Sequence, residues 1–187
     1  MNAAHMELCS SAEWAEKIEK TLVPWATEGL DFGDNLLEVG SGPGMTTNIL
    51  QHKAPNLTCV ELDEEMAAAL ERRFAGTPHV TVIQGSAADL PFPDNTFSSA
   101  ASFTMMHHVP TAELQDKVMS ELARVLRPGG VLFGTDSLDS PAWRELHVGD
   151  TCNPLNPLTL ESRLRAAGFS DVDLTIWSIG IKFIARK

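Results

Sequence analysis

The chain has 187 residues, of which 43% are hydrophobic and 21% are charged, so it can bury one sizeable core as a single domain. Its formal net charge of -11 at pH 7 repels polyphosphates and therefore disfavours DNA or RNA as a partner. Its three cysteines are widely spaced and no apolar run approaches roughly 18 residues, so we expect no disulfide framework, no zinc motif and no membrane span in a cytoplasmic protein.

An amphipathic helix is predicted before the first strand. Ser10 and Glu13 have the spacing of a capping box, in which two side chains satisfy backbone N–H groups of the first helical turn. An apolar stripe follows at helical spacing and consists of Trp14, Ile18, Leu22 and Trp25. Two interpretations of the stripe stay open, because it could pack on a sheet or use Trp14 or Trp25 to cover a substrate pocket.

A buried strand, a glycine-rich turn and a second strand come next. Residues 36–39 form the first strand, and the turn after it contains Gly40, Gly42 and Gly44. Glycine allows a sharp turn and a close approach of the backbone to a ligand. The second strand, residues 58–62, contains Glu61 about 20 residues further on, where a carboxylate suits the two hydroxyls of a ribose. The pattern predicts a nucleoside site.

The glycine spacing distinguishes two classes of nucleotide-binding enzyme. Dinucleotide-binding enzymes carry Gly-x-Gly-x-x-Gly, whereas this chain reads Gly-x-Gly-x-Gly and has Met45 where the third glycine of that fingerprint would stand. A nicotinamide oxidoreductase is therefore the weaker interpretation.

The rest of the chain alternates helical and strand patterns, which implies an α/β fold with right-handed crossovers and a mostly parallel sheet. Helices are predicted at residues 44–52, 64–74, 111–126 and 159–167, the last of which is ended by Gly168. Further strands are predicted at residues 81–84, 98–102 and 131–135, followed by a hairpin of residues 172–177 and 181–185. The total is seven strands.

Five segments in order resemble the motifs of class I S-adenosylmethionine-dependent methyltransferases, in their small-molecule, type 11-like branch. They are residues 36–44, 60–66, 82–94, 97–109 and 122–130, and the Leu-Pro-Phe-Pro-Asp run at 90–94 is typical of the small-molecule branch. The resemblance implies a Rossmann-like sheet of seven strands, mostly parallel, that ends in an antiparallel C-terminal hairpin. It also implies S-adenosyl-L-methionine as the cofactor.

The resemblance further assigns the cofactor-binding residues. At the methionine end they are Glu38, Gly40, Ser41, Gly42, Gly44 and Ser102. Glu38 would orient the loop, and Ser102 would offer a backbone carbonyl to the ammonium group. At the ribose and adenine end they are Glu61, Leu62, Ser86 and Ala87. Ser86 stands where a carboxylate is common, so Asp89 is an alternative acceptor for the exocyclic amine of adenine.

Three residues are candidates for a general base, namely His107, His108 and Asp136. Neutral imidazole titrates near working pH, so either histidine could take a proton from the acceptor. Packing and loop orientation are the competing roles for the pair, and methyl transfer does not require a base. A catechol-type metal site would need an acidic cluster, for which Asp136, Asp139 and Asp150 are available; we expect no metal.

We expect one domain with four parts. Residues 1–35 form a helical lid, residues 36–136 the cofactor-binding core, residues 137–158 an acceptor-site loop, and residues 159–187 a helix and hairpin. The predicted function is methyl transfer to oxygen, nitrogen or carbon of a small molecule, in a pocket that a second subunit of a homodimer could complete. The alternative, suggested by Ser86 and Ser98, is a regulatory or assembly subunit that binds S-adenosyl-L-methionine without turnover.

Overall fold

The computed structural model describes residues 2–187 and contains one seven-stranded sheet. Its strands are β1 (Asn35–Val39), β2 (Asn56–Glu61), β3 (Val80–Gln84), β4 (Phe97–Phe103), β5 (Leu126–Ser137), β6 (Asp171–Trp177) and β7 (Gly180–Arg186). The strand order is β3-β2-β1-β4-β5-β7-β6. The first five strands pair in parallel, whereas β7 runs antiparallel to both β5 and β6. The predicted α/β class, the strand count and the C-terminal hairpin are confirmed.

The helices are α1 (Ala3–Cys9), α2 (Ala12–Lys17), α3 (Val23–Ala26), α4 (Thr47–Leu50), α5 (Glu64–Phe74), α6 (Ala112–Val125), α7 (Pro141–Leu146) and α8 (Pro157–Ala167). A π-helical segment, Ile18–Leu22, joins α2 to α3, and a 3-10 turn, Met106–His108, follows β4. Helix α4 is much shorter than the predicted span of residues 44–52. Within residues 2–187, no helix is long and apolar enough to cross a membrane.

Side chains of the central strands pack on both faces of the sheet. Leu132 of β5 packs with α6 and α8, whereas its neighbours Val131 and Phe133 pack with the N-terminal helices. This alternation follows from the two-residue period of a strand, and burial of both faces is typical of a parallel sheet. The sheet therefore holds two apolar layers and leaves its strand ends as the place for a ligand.

The N-terminal helical segment differs from the prediction at its start. Ser11, not Ser10, is the N-cap of α2, because the Ser11 Oγ accepts the backbone N–H of Trp14 at 3.1 Å. Ser10 instead follows the last residue of α1 as its C-cap. The helix then widens into its π-helical segment just before Pro24, a residue that has no backbone N–H to donate.

The apolar stripe divides between the two proposed roles. Ile18 and Leu22 are buried against the sheet. Trp25 packs edge-on against Trp177, with ring centroids 4.6 Å apart, so it lies in the packing layer. Trp14 instead lines the large cavity at the end of the sheet.

Candidate active site

A cavity of about 540 Å³ lies at the carboxyl ends of β1, β2 and β4. Parallel α/β sheets bind ligands at this edge, at the point where the strand order reverses direction. In this sheet the reversal lies between β1 and β4. The volume falls within the range of small-molecule sites. The cavity walls come from the glycine turn, the ends of β2 and β4, the loop after β3, the N-terminal helices and residues 150–151.

The glycine turn lies directly on the cavity. Gly40 has a φ of 69°, and a Cβ atom there would lie 2.0 Å from the Cγ of Met105, so no larger residue fits without displacing the loop after β4. Gly40, Ser41 and Gly42 all line the cavity, as predicted from the sequence pattern. Gly44 has a left-handed φ of 80° but is not among the residues that line it.

Glu61 connects the glycine turn to the end of β2. Its Oε2 accepts the backbone N–H of Gly42 at 2.8 Å, and its Oε1 accepts that of Asp63 at 3.0 Å. The residue is only 7% exposed and lines the cavity. A carboxylate has about four lone-pair sites, so about one remains on each oxygen. The arrangement can accept both hydroxyls of a diol.

Glu38 lies behind the glycine turn and not on the cavity. It is 1% exposed, and its carboxylate accepts the hydroxyls of Thr46 and Thr47, the latter at 2.6 Å, as well as the Sγ of Cys59 at 3.5 Å. Burial raises the pKa of Glu38, although these hydrogen bonds oppose the shift. Glu38 fastens the start of α4 to β1 and so positions the turn.

Ser102 does not reach the cavity, because β4 extends one residue further than predicted. Its carbonyl oxygen lies against Gly134 of β5, where a Cβ atom would approach it to 1.8 Å. Phe103 and Thr104 line the cavity in its place. Thr104 has a φ of 48°, unusual for a β-branched residue, and its N–H donates to the carbonyl of Thr135 at 2.8 Å. The sequence prediction missed Phe103 and Thr104, because the residue at which a strand ends depends on its pairing with the adjacent strands.

The residues that were predicted to surround the adenine ring lie on the cavity wall. Leu62, Ser86 and Ala87 all line it, and Leu62 is 67% exposed at the rim. The Ser86 Oγ accepts the N–H of Ala88 at 3.2 Å, which makes a tight turn. Asp89 is exposed and is not among the lining residues, so it does not supply the alternative acceptor in this arrangement.

The three candidate bases occupy two different places. His107 and Asp136 are buried and hydrogen-bonded, with 2.6 Å between the Nδ1 of His107 and the Oδ1 of Asp136. Only His108 lines the cavity. Burial, together with the neighbouring histidines, lowers the pKa of His108 to about 3, which makes it a weak base at neutral pH.

The N-terminal residues and the segment of residues 137–158 meet beside the cavity. The side chain of Asn2 donates to the carbonyls of Leu146 and Val148, and its backbone N–H donates to Asp150 at 3.1 Å. This docking brings His5, Cys9 and Trp14 to the cavity wall. Sequence reasoning missed His5 and Cys9, because their approach depends on contacts with a segment far along the chain.

Comparison with known proteins places these features in a family. Residues 37–134 match the family profile of a methyltransferase domain. A demethylmenaquinone methyltransferase from Symbiobacterium thermophilum is 34% identical over 130 residues, which are 66% of this chain and 49% of that protein. A fatty-acid O-methyltransferase from Mycolicibacterium smegmatis is 35% identical over 118 residues, or 59% of this chain and 41% of that protein. The chain thus spans about half the length of these curated relatives.

A solved structure shows the same fold with the cofactor bound. Phosphoethanolamine N-methyltransferase 2 from Haemonchus contortus, in complex with S-adenosyl-L-methionine, superposes with a TM-score of 0.75 at 17% identity. The superposition covers 100% of this chain and 60% of that one. Because the family profile spans more than half of the chain and the sheet carries the matching glycine turn and Glu61, the chain belongs to the class I S-adenosylmethionine-dependent methyltransferases.

Proposed function

We propose that the protein transfers a methyl group from S-adenosyl-L-methionine to oxygen, nitrogen or carbon of a small molecule. The observation that carries the proposal is a single cavity with a diol-accepting carboxylate at one end and a wall of apolar and imidazole side chains at the other. The names of two relatives give demethylmenaquinone and a fatty acid as acceptors, which supports a small molecule here.

Each part of the cofactor would contact a different group of residues on the cavity wall. S-adenosyl-L-methionine supplies an electrophilic methyl group on a sulfonium. The backbone of Gly40, Ser41 and Gly42 would hold its methionine portion, while Glu61 would accept the ribose hydroxyls in charge-assisted hydrogen bonds. Leu62, Ser86 and Ala87 would enclose the adenine ring. Glu38 and Gly44, which do not line the cavity, would hold the glycine turn in place.

The same geometry supports a division of the chain into four parts. Residues 36–136 would form the cofactor-binding core, and residues 1–35 with residues 137–158 would enclose the acceptor. Residues 159–187 would complete the fold with the hairpin and with α8, which begins two residues earlier at Pro157. The cavity wall on the acceptor side includes Trp14, Ile18, Phe103 and Met105, which suits an acceptor with apolar surface.

Catalysis would depend mainly on alignment and on exclusion of water. In the transfer, a lone pair of the acceptor bonds to the methyl carbon while the carbon–sulfur electron pair stays on sulfur, so positive charge disperses. The apolar wall keeps water away from this line. Asp136 would position His107, and His108 would contact the acceptor without acting as a strong base.

The test combines binding with turnover. Titration with S-adenosyl-L-methionine and its demethylated product by calorimetry should show binding, and methyl-labelled cofactor should then label a small acceptor from a panel of quinols, fatty acids, phenols and amines. Absence of cofactor binding would overturn the proposal. Binding without turnover on any acceptor would instead support the alternative of a regulatory or assembly subunit.

A further inference from the structure

Four of the six histidines in the chain meet in a cluster beside the cavity, and two of them, His5 and His108, line it. They are His5 of α1, His107 and His108 of the 3-10 turn after β4, and His147 directly after α7. Each offers one nitrogen, and these nitrogens all lie within 4.8 Å of one another. Three separate parts of the chain thus deliver imidazoles to one point, which packing alone does not require.

Two of these histidines are held so that a lone pair points into the cluster. His107 shares its Nδ1 with the Asp136 carboxylate at 2.6 Å, and His147 shares its Nδ1 with the carbonyl of Trp143 at 2.7 Å. A carbonyl or carboxylate accepts a proton, so Nδ1 carries the hydrogen and Nε2 carries the lone pair in both rings. This is the orientation that metal-binding histidines adopt when a neighbouring acceptor fixes their tautomer.

Two buried nitrogens of the cluster have no hydrogen-bond partner within the described residues. They are the Nε2 atoms of His107 and His147, whereas the Nδ1 of His5 faces an oxygen of Asp150 at 3.6 Å. Buried polar atoms are nearly always satisfied in native proteins. The two unpaired Nε2 atoms are therefore available to bind an electron-pair acceptor.

Carboxylates beside the rings suit a cation. The Asp136 carboxylate contacts His107, and Asp150 lies beside His5 and His108, so two acidic residues adjoin the cluster.

The size of the cluster is close to that of a metal site. Zinc–nitrogen bonds of about 2.0–2.1 Å place the ligand atoms of a tetrahedron about 3.3 Å apart. A tetrahedron with edges of 4.8 Å, the upper limit here, needs each nitrogen to move inward by about 0.9 Å. Small rotations of the side chains and of α1 supply a movement of this size.

We propose that His5, His107, His108 and His147 bind one divalent transition-metal ion at the acceptor end of the cavity. Imidazole suits zinc, copper, iron and nickel, and the set contains no thiolate. The ion would tie α1 to the loop after β4 and to the end of α7, which would close the cavity. Because His5 and His108 line the cavity, an acceptor bearing an anionic oxygen would be drawn to this end, and that consequence rests on the proposed function.

The test measures metal binding without cofactor or acceptor. The 187-residue chain, stripped with chelator, is titrated with Co²⁺ and with Zn²⁺ and followed by its visible spectrum, by calorimetry and by elemental analysis after dialysis. We expect about one ion per chain and a tetrahedral Co²⁺ spectrum. His147→Ala should abolish stoichiometric binding, whereas His52→Ala, an exposed histidine outside the cluster, should leave it unchanged.

A second variant keeps the test independent of folding defects. Asp136→Asn retains the size of the side chain but changes the partner of His107, so metal affinity should fall about 10- to 100-fold while the circular dichroism stays native. The proposal is overturned if the wild type retains no stoichiometric Co²⁺ or Zn²⁺, or if a folded His107→Ala/His147→Ala variant binds as well as the wild type. Cofactor titration is a separate measurement, so failure of the metal site and failure of the methyltransferase proposal are distinguishable.

Discussion

Replacement of Glu61 by alanine should weaken binding of S-adenosyl-L-methionine more than any other single truncation at the cofactor end. Each carboxylate oxygen accepts one backbone N–H, from Gly42 at 2.8 Å or from Asp63 at 3.0 Å, and has about one lone pair left for a ribose hydroxyl. Hydrogen bonds to charged groups are worth about 1.5–3 kcal/mol net. Loss of this interaction raises the dissociation constant about 10- to 150-fold.

Two comparisons separate ligand binding from support of the loop. Glu61→Gln keeps one acceptor oxygen but turns an NH₂ group toward a backbone donor, so its affinity should lie between those of the wild type and Glu61→Ala. Glu71→Ala removes an exposed carboxylate from α5, away from the cavity, and should leave the affinity unchanged. Calorimetric titration with the cofactor and its demethylated product gives the dissociation constants, and urea unfolding gives the stability of each variant.

Several results would refute the reasoning. An unchanged dissociation constant in a folded Glu61→Ala variant would reject the assignment of the ribose to this carboxylate. A loss of affinity that only matches the fraction of unfolded protein would assign Glu61 to loop structure alone. An equal loss in Glu71→Ala would show that net charge, not the local hydrogen bonds, determines the affinity.

Three further changes test the description of the fold around the cavity. Gly40→Ala combines a left-handed φ with a clash against Met105, so it should cost about 2–5 kcal/mol of unfolding free energy. Met105→Ala removes the Cγ contact at 2.0 Å but keeps the Cβ contact at 2.8 Å, so it should restore only part of the loss in a urea double-mutant cycle. Ser11→Ala should cost about 1 kcal/mol through loss of the α2 cap, whereas Ser10→Ala should cost less; equal losses would contradict the cap assignment. Burial raises the pKa of Glu38, so the folded protein binds the carboxyl proton more tightly than the unfolded chain does. The stability that this protonated side chain contributes is therefore fully present below its usual pKa of 4.5 and is lost as pH rises through the raised pKa. Unfolding free energy should therefore decline with rising pH more steeply in the wild type than in Glu38→Gln, and parallel pH profiles would contradict the shift.

Local chemistry determined the elements that the sequence predicted well. Helices α5, α6 and α8 lie within one or two residues of their predicted bounds, because the signals that start and stop them are local. Asp63, Thr111 and Asn156 each cap the helix that follows, and Gly168 ends the last one with a φ of 114°. The glycine turn and Glu61 were recognised for the same reason, since the motif lies within one strand–turn–strand unit.

Prediction from local sequence patterns was wrong where two residues offered the same signal, or where contacts with another element determined the structure. Two adjacent serines offered a cap, and the capping-box spacing selected Ser10 although the hydroxyl of Ser11 reaches the free N–H. The end of β4 depends on its pairing with β5, which continues through Phe103 and Thr135, so the cavity edge lies beyond Ser102. Burial of Glu38 behind the turn likewise follows from Thr46, Thr47 and Cys59, which the strand pattern alone does not bring together.

The sequence by itself therefore determined the fold class, the family and the glycine turn with Glu61, because those depend on short motifs with local geometry. Tertiary structure alone decided the part of the cavity wall that the N-terminal helices and residues 150–151 form. Asn2 contacts Asp150 across 148 positions of the chain, and that docking places His5 beside His107, His108 and His147. No periodicity or spacing encodes such a meeting, since it arises only when separate elements pack against one sheet and bury their polar atoms together.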